Sequence, residues 1–118
     1  MNVSIVIPTY NRKPILEKCL DALENQKLNE NVSNYEIIVI DDGSTDGTST
    51  WIKNNKAILP HVVLYEQEHG GPALGRNLGV IKSKYETIIF IDSDLVVLDD
   101  FTTPLILKAP VAFILSLK

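Results

Sequence analysis

Cysteine is nearly absent: the 118 residues contain one, Cys19. A single thiol cannot form an internal disulfide, so the fold must rest on packing, and a reducing cytoplasm suits such a chain. Basic clusters are missing as well. Eleven Lys and Arg against fifteen Asp and Glu give a net charge of −4, and no basic run is interleaved with aromatics. That excludes a general nucleic-acid surface. No apolar run reaches the ~18 residues needed to span a bilayer. The greasiest stretch, 104–117, is broken by Lys108 and Pro110. The N-terminus shows no charged segment followed by an apolar one, so no signal peptide is read there. The expected location is cytoplasmic, with a peripheral position on the inner face of a membrane also open.

What is present is a regular alternation. Hydrophobic residues make up 45% of the chain, enough for one domain with a core. Residues 3–7 form a β-branched run that ends at Pro8. Residues 14–26 carry Ile15, Leu16, Cys19, Leu20 and Leu23 on one helical face, with Pro14 at a first helical position. On that face Cys19 reads as a small core residue and not as a nucleophile. Residues 36–40 are a second buried strand, stopped by Asp41, Asp42 and Gly43. Ser44 or Thr45 is expected to cap a helix reaching about residue 55, with Trp51 and Ile52 inward. A third strand at 62–65, a turn at Gly70, Gly71 and Pro72, a helix over 73–82 and a fourth strand at 87–91 follow. Apolar strands alternating with helices predict an α/β, Rossmann-like, mostly parallel sheet with helices on both faces.

Ligands of such sheets bind outside the carboxyl ends of the strands. Here those ends hold Pro8, Thr9, Tyr10, Asn11 and Arg12, then Asp41, Asp42, Gly43 and Ser44, then Asp92, Ser93 and Asp94. Asp92 and Asp94 repel one another at a strand end unless a cation compensates. Hard oxygen ligands suit Mg²⁺ or Mn²⁺ and a bound diphosphate. The segment from Asp42 to Lys53 also matches part of a calcium-binding loop through Asp42, Ser44, Asp46 and Gly47. Lys53 stands where a bidentate Glu is required, and a strand precedes the loop, so calcium is set aside.

Four motifs in order, PTYNR, VIDDGSTDGT, GGPALGRNLG and FIDSD, make the chain resemble the family 2 glycosyltransferases over residues 3–100. The resemblance implies the GT-A fold and a nucleoside diphosphate sugar as ligand, a UDP-sugar first. It places Pro8, Thr9 and Tyr10 at the donor, with Tyr10 offering a face on which a base could stack, an interaction of roughly 1–3 kcal/mol. It implies that Asp42 accepts an N–H of the base, the plain alternative being a helix-capping acid; Asp41 is expected to support the turn. It sets Arg76 near the pyrophosphate, binding oxygens directly or pairing with an acid of the D-x-D. Asp94 is the expected main metal ligand. Asp92 is expected on the ribose hydroxyls or as a second, water-mediated metal contact. His69 reads as a loop residue.

Inverting sugar transfer also needs a base that deprotonates the acceptor hydroxyl, a glycan or lipid-linked acceptor in the complete enzyme. No carboxylate follows Asp100. The expectation is therefore a truncated donor-binding domain at 1–100, with 101–118 as an apolar tail opening an acceptor half and the base beyond Lys118. The tail, lacking an obvious partner, invites a homodimer. A non-catalytic nucleotide-binding or assembly module of the same fold is the alternative. A phospho-acceptor receiver domain is discounted, because PTYNR replaces the acid pair it needs.

Overall fold

The computed structural model describes residues 2–25, 32–91 and the backbone of 113–116. The elements run β1 (Asn2–Thr9), α1 (Lys13–Glu24), β2 (Asn34–Asp41), α2 (Thr48–Asn54), β3 (Val62–Glu66), α3 (Pro72–Lys82), β4 (Thr87–Phe90) and β5 (Phe113–Ser116). They form a sheet of order β3-β2-β1-β4-β5. The first four of these strands in chain order are parallel. β5 lies antiparallel against β4, with Phe90 opposite Phe113. Part of the tail, β5, thus has a strand partner within the chain. No local sequence signal reveals this pairing, because β4 and β5 lie far apart in sequence.

Alternation along the strands sorts the core onto two faces. Val3, Ile5, Ile7, Ile37, Val39, Ile89 and Ile91 pack under Leu16, Cys19, Leu20 and Leu23 of α1 and Ile52 of α2. Val6, Ile38, Ile40 and Ile88 pack on the other face, against Leu78 and Val80 of α3. Helices on both faces are therefore as expected. Cys19 is 1% exposed, and burial pushes its thiol up to about 12. It stays protonated and serves as core.

Several boundaries differ from the sequence reading. β1 runs through Pro8 to Thr9, and β2 starts at Asn34. The β1–β4 pairing ends at Val6 opposite Phe90, so Pro8 forfeits no ladder bond among the described residues. α2 starts at Thr48, with Gly47 at its N-cap in the left-handed region (φ 86°). Ser44 and Thr45 do not cap it; their groups bond to Asn11 across the site. At seven residues α2 is too short to persist alone. Burial of Ile52, worth about 1.5–3 kcal/mol, and the packing of Trp51 against the same core hold it in place.

The opposite edge of the sheet is pinned by buried carboxylates. Ser4 Oγ donates to Glu36 Oε2 at 2.6 Å, and Lys84 N donates to the same oxygen at 2.9 Å. This clasp fixes the α3–β4 connection. His61 N donates to Glu24 Oε2 at 2.8 Å, tying the start of β3 to the end of α1. Among the described residues no helix is long and apolar enough to cross a membrane.

α3 sits unusually close to the sheet at two glycines. A Cβ on Gly75 would stand 3.0 Å from Pro8 Cβ, and one on Gly79 would stand 2.2 Å from Val6 Cγ1. Helix propensity alone would favour Gly79→Ala by about 1 kcal/mol. Overpacking against Val6 should outweigh this, for a net destabilisation of roughly 1–2 kcal/mol. The expected result is a lower urea midpoint at unchanged slope.

Candidate functional site

β1, β2 and β3 end in one register row, with Thr9 opposite Asp41 and Asp41 opposite Glu66. The chain steps outward from β1 to β2 to β3 and then returns to the far side of β1 for β4. The reversal falls between β1 and β4, and ligands of open α/β sheets usually bind outside the carboxyl ends of the strands at such a point.

The loops after β1 and β2 are fastened to each other. Asn11 holds a left-handed backbone (φ 50°). Its N–H donates to Ser44 Oγ at 2.9 Å, and its Oδ1 accepts from Thr45 N at 2.7 Å. Asp46 Oδ2 accepts from Lys13 N at 3.0 Å, supplying the opening of α1 with a cap that Arg12 does not provide. Its Oδ1 accepts from Thr48 Oγ1 at 2.5 Å. Burial works to raise the Asp46 pKa, but these hydrogen bonds outweigh it and hold the carboxyl below its ordinary range. Asp41 Oδ1 accepts from Ser44 N at 3.0 Å, and its Oδ2 accepts from Ser49 Oγ. It supports the turn, as expected.

Asp42 does not take the plain alternative role of a helix-capping acid: it caps no part of α2. It is 3% exposed, and its carboxylate organises the segment that leads into α3. Oδ1 accepts from Gln67 Nε2 and Gly70 N, both at 2.8 Å. Oδ2 accepts from Gly71 N at 3.0 Å. His69 Nδ1 lies 2.9 Å from Oδ2 and 3.2 Å from the Asp42 carbonyl oxygen. Both are acceptors, which assigns the proton to Nδ1. Burial pulls the Asp42 pKa up, but the bonds from Gln67, Gly70 and Gly71, with His69 beside them, hold it below its ordinary 3.8. Gly71 takes φ 97° at the N-cap of α3, a conformation that a side chain resists.

Tyr10 projects from the β1 end and is 41% exposed. His69 stacks on its ring, with centroids 4.0 Å apart and planes 28° from parallel. Thr9 is 3% exposed, and its Oγ1 is the buried side-chain polar atom left without a partner among the described residues. A buried hydroxyl with no partner at the carboxyl edge of the sheet is a ready contact for a ligand oxygen. Gly75 lets α3 approach Pro8 and so carries the partly buried Arg76 to this side of the sheet. Pro8, Thr9, Tyr10, Asp42 and Arg76 are thus held by neighbouring strand ends and by the opening of α3. Asp92 and Asp94 lie outside the described residues. Among the described residues no three His, Cys, Asp or Glu side chains gather as a metal site. Two acids with one residue between them still offer the hard oxygen donors that Mg²⁺ or Mn²⁺ prefers.

Asn11, Asp46, Gln67 and His69 were not singled out as site residues from sequence. Their roles depend on partners 25–35 positions away, which no local pattern encodes. The signal at hand was the density of Asn, Asp, Gly and Ser in both loops, residues that bond to backbone groups.

The description "Glycosyl transferase family 2" fits residues 4–110. The chain belongs to that family. Its Rossmann-like sheet is the GT-A arrangement of its structural neighbours. It is similar to a poly(ribitol-phosphate) beta-glucosyltransferase of Bacillus spizizenii, 41% identical over 96 residues, which are 80% of this chain and 15% of that protein. It is also similar to Staphylococcus aureus TarS 1-349 in complex with UDP-GlcNAc, at TM-score 0.68 and 30% identity, covering 80% of this chain and 27% of that one. A mannosyltransferase from Pyrobaculum calidifontis in complex with GDP-Man and Mn²⁺ matches at TM-score 0.64 and 30% identity, over 78% of this chain and 27% of that one. This family 2 chain spans under a third of each.

Two outcomes follow for the folded chain. The Asp42 carboxyl titrates lower in the folded than in the unfolded state. Its stabilisation is therefore complete above the ordinary value of 3.8 and is lost as pH falls through the lower folded-state value. Asp42→Asn should remove that part of the acid limb in melts between pH 5 and about pH 2, and should cost about 1–3 kcal/mol at neutral pH by setting an amide against Gly71 N–H. Thr9→Val, which removes a partnerless buried hydroxyl, should leave the ligand-free melting temperature unchanged or raised.

Proposed function

We propose that this chain forms the donor-binding part of a glycosyltransferase that takes a nucleoside diphosphate sugar, a UDP-sugar first. The observation that supports the reading is the Tyr10 ring and the buried Asp42 carboxylate, bridged by His69, beside the unpartnered Thr9 hydroxyl at the carboxyl edge of the sheet. Relatives captured with UDP-GlcNAc or with GDP-Man and Mn²⁺ support it.

In this reading Tyr10 stacks against the base and Asp42 accepts one of its N–H groups. Pro8 shapes the floor of the site, and Thr9 offers its hydroxyl to a donor oxygen. The Arg76 fork binds pyrophosphate oxygens, or holds an acid of the D-x-D in place. Asp94, with Asp92, is assigned to a Mn²⁺ or Mg²⁺ ion, and Asp92 also to the ribose hydroxyls. Such an ion, when bound, offsets negative charge on the diphosphate and so eases departure of the nucleoside diphosphate. Transfer is proposed to invert the anomeric carbon. The base that activates the acceptor, a glycan or lipid-linked polymer, is assigned to no residue of 1–118.

Calorimetry of the chain with UDP and GDP, with and without Mn²⁺, tests the reading. UDP should bind, and Mn²⁺ should tighten it. Asp94→Ala should abolish the Mn²⁺ dependence. Arg76→Ala should weaken UDP by roughly tenfold or more while leaving uridine little changed, as expected for a lost charge-assisted bond. Equal loss for uridine would remove Arg76 from the diphosphate, and no nucleotide binding at all would sink the donor-site reading.

A further inference from the structure

His69 makes, with atoms of the chain itself, both contacts that recognition of a base requires at this site. Its ring covers Tyr10 at 4.0 Å between centroids. Its Nδ1 bonds to the Asp42 carbonyl oxygen at 3.2 Å and lies 2.9 Å from Asp42 Oδ2, in the space beside that oxygen. A uracil imide would need the same face and the same acceptor. The other donors to Asp42 are of a different kind: two are backbone N–H groups of the turn, and Gln67 shows no ring to Tyr10. We propose that His69 is an internal occupant of the base subsite, which an incoming nucleobase must displace from Tyr10. The inference rests on the donor-site reading above.

The geometry permits such an exchange. The His69 side chain is 58% exposed, while Asp42 is nearly buried, so the imidazole has open space to enter. Gly70 and Gly71 follow it directly in sequence, and their N–H groups stay on Asp42 without help from the ring. The turn can therefore persist when the ring leaves. Displacement of an internal competitor lowers apparent affinity by the fraction of chains in which the subsite is free. His69 is thus a positioning residue that weakens donor binding in the folded chain.

Proton NMR of the full chain during titration with UDP and the diamagnetic Mg²⁺ tests this. The chain has two histidines. His61, stacked on Tyr35 at 4.1 Å on the opposite edge, is an internal control. The His69 ring protons, identified by their loss in His69→Ala, should start ring-current shifted and relax toward free imidazole on saturation, while those of His61 stay put. His69→Ala should bind UDP roughly two- to tenfold more tightly than the unaltered chain. His69→Phe, which keeps a ring for Tyr10 without the tie to Asp42, should fall between them and serves if the alanine chain melts early. Weaker binding by His69→Ala would make His69 a wall of the base site and overturn the proposal. Saturation with no movement of the His69 protons would overturn it too, leaving the donor-site reading intact. Absence of binding in all three chains would overturn both.

Discussion

One carboxylate organises the binding edge. Asp42 ends the second strand and gathers a side-chain amide, an imidazole and two successive backbone N–H groups from a segment more than twenty residues later. Without an acceptor at that point, the part-buried N–H groups of Gly70 and Gly71 would lose the bonds that hold the turn. With it, the opening of α3 is set against the end of β2. His69, which lies on the face of Tyr10, is held beside the same carboxylate.

The second constraint is how near a helix can come to a sheet. Gly75 and Gly79 bring α3 to within contact of Pro8 and Val6. They lie four residues apart, on one face of the helix. The same closeness seals the Val6, Ile38 and Ile88 cluster and sets the opening of α3 against Pro8 at the end of β1. Packing and site geometry are therefore not separable along this helix. At the far edge, Glu36 and Glu24 fix the connections by hydrogen bonds and leave that end structural.

Much of this was legible from the residues. Apolar runs gave away β1 to β4, and the 15–23 periodicity gave away α1, because burial on both faces leaves an unbroken hydrophobic signature. The convergence of PTYNR and DDGS at one edge followed from parallel topology alone; Asp92, Ser93 and Asp94, expected at the same edge, lie outside the described residues. The internal wiring did not follow from it. Ser44 and Thr45 have the chemistry of helix caps, and only the docking of Asn11 diverts them. Asp46 resembled a calcium ligand until Lys13 and Thr48 took its oxygens. Asp42 carried a base-recognition role by resemblance, but its present partners are chosen by tertiary proximity. β5 is four residues of ordinary apolar sequence, and its pairing depends on an edge that β4 leaves exposed.

Pro8 has a consequence for the rim of the sheet. A strand pair closes like a zip, one N–H at a time, and a proline is a missing tooth. β1 continues past its last pairing with β4 and stays bonded to β2 on its other side. On the side of β1 that faces away from β2, position 8 therefore offers a carbonyl acceptor and no N–H donor, one residue before Thr9.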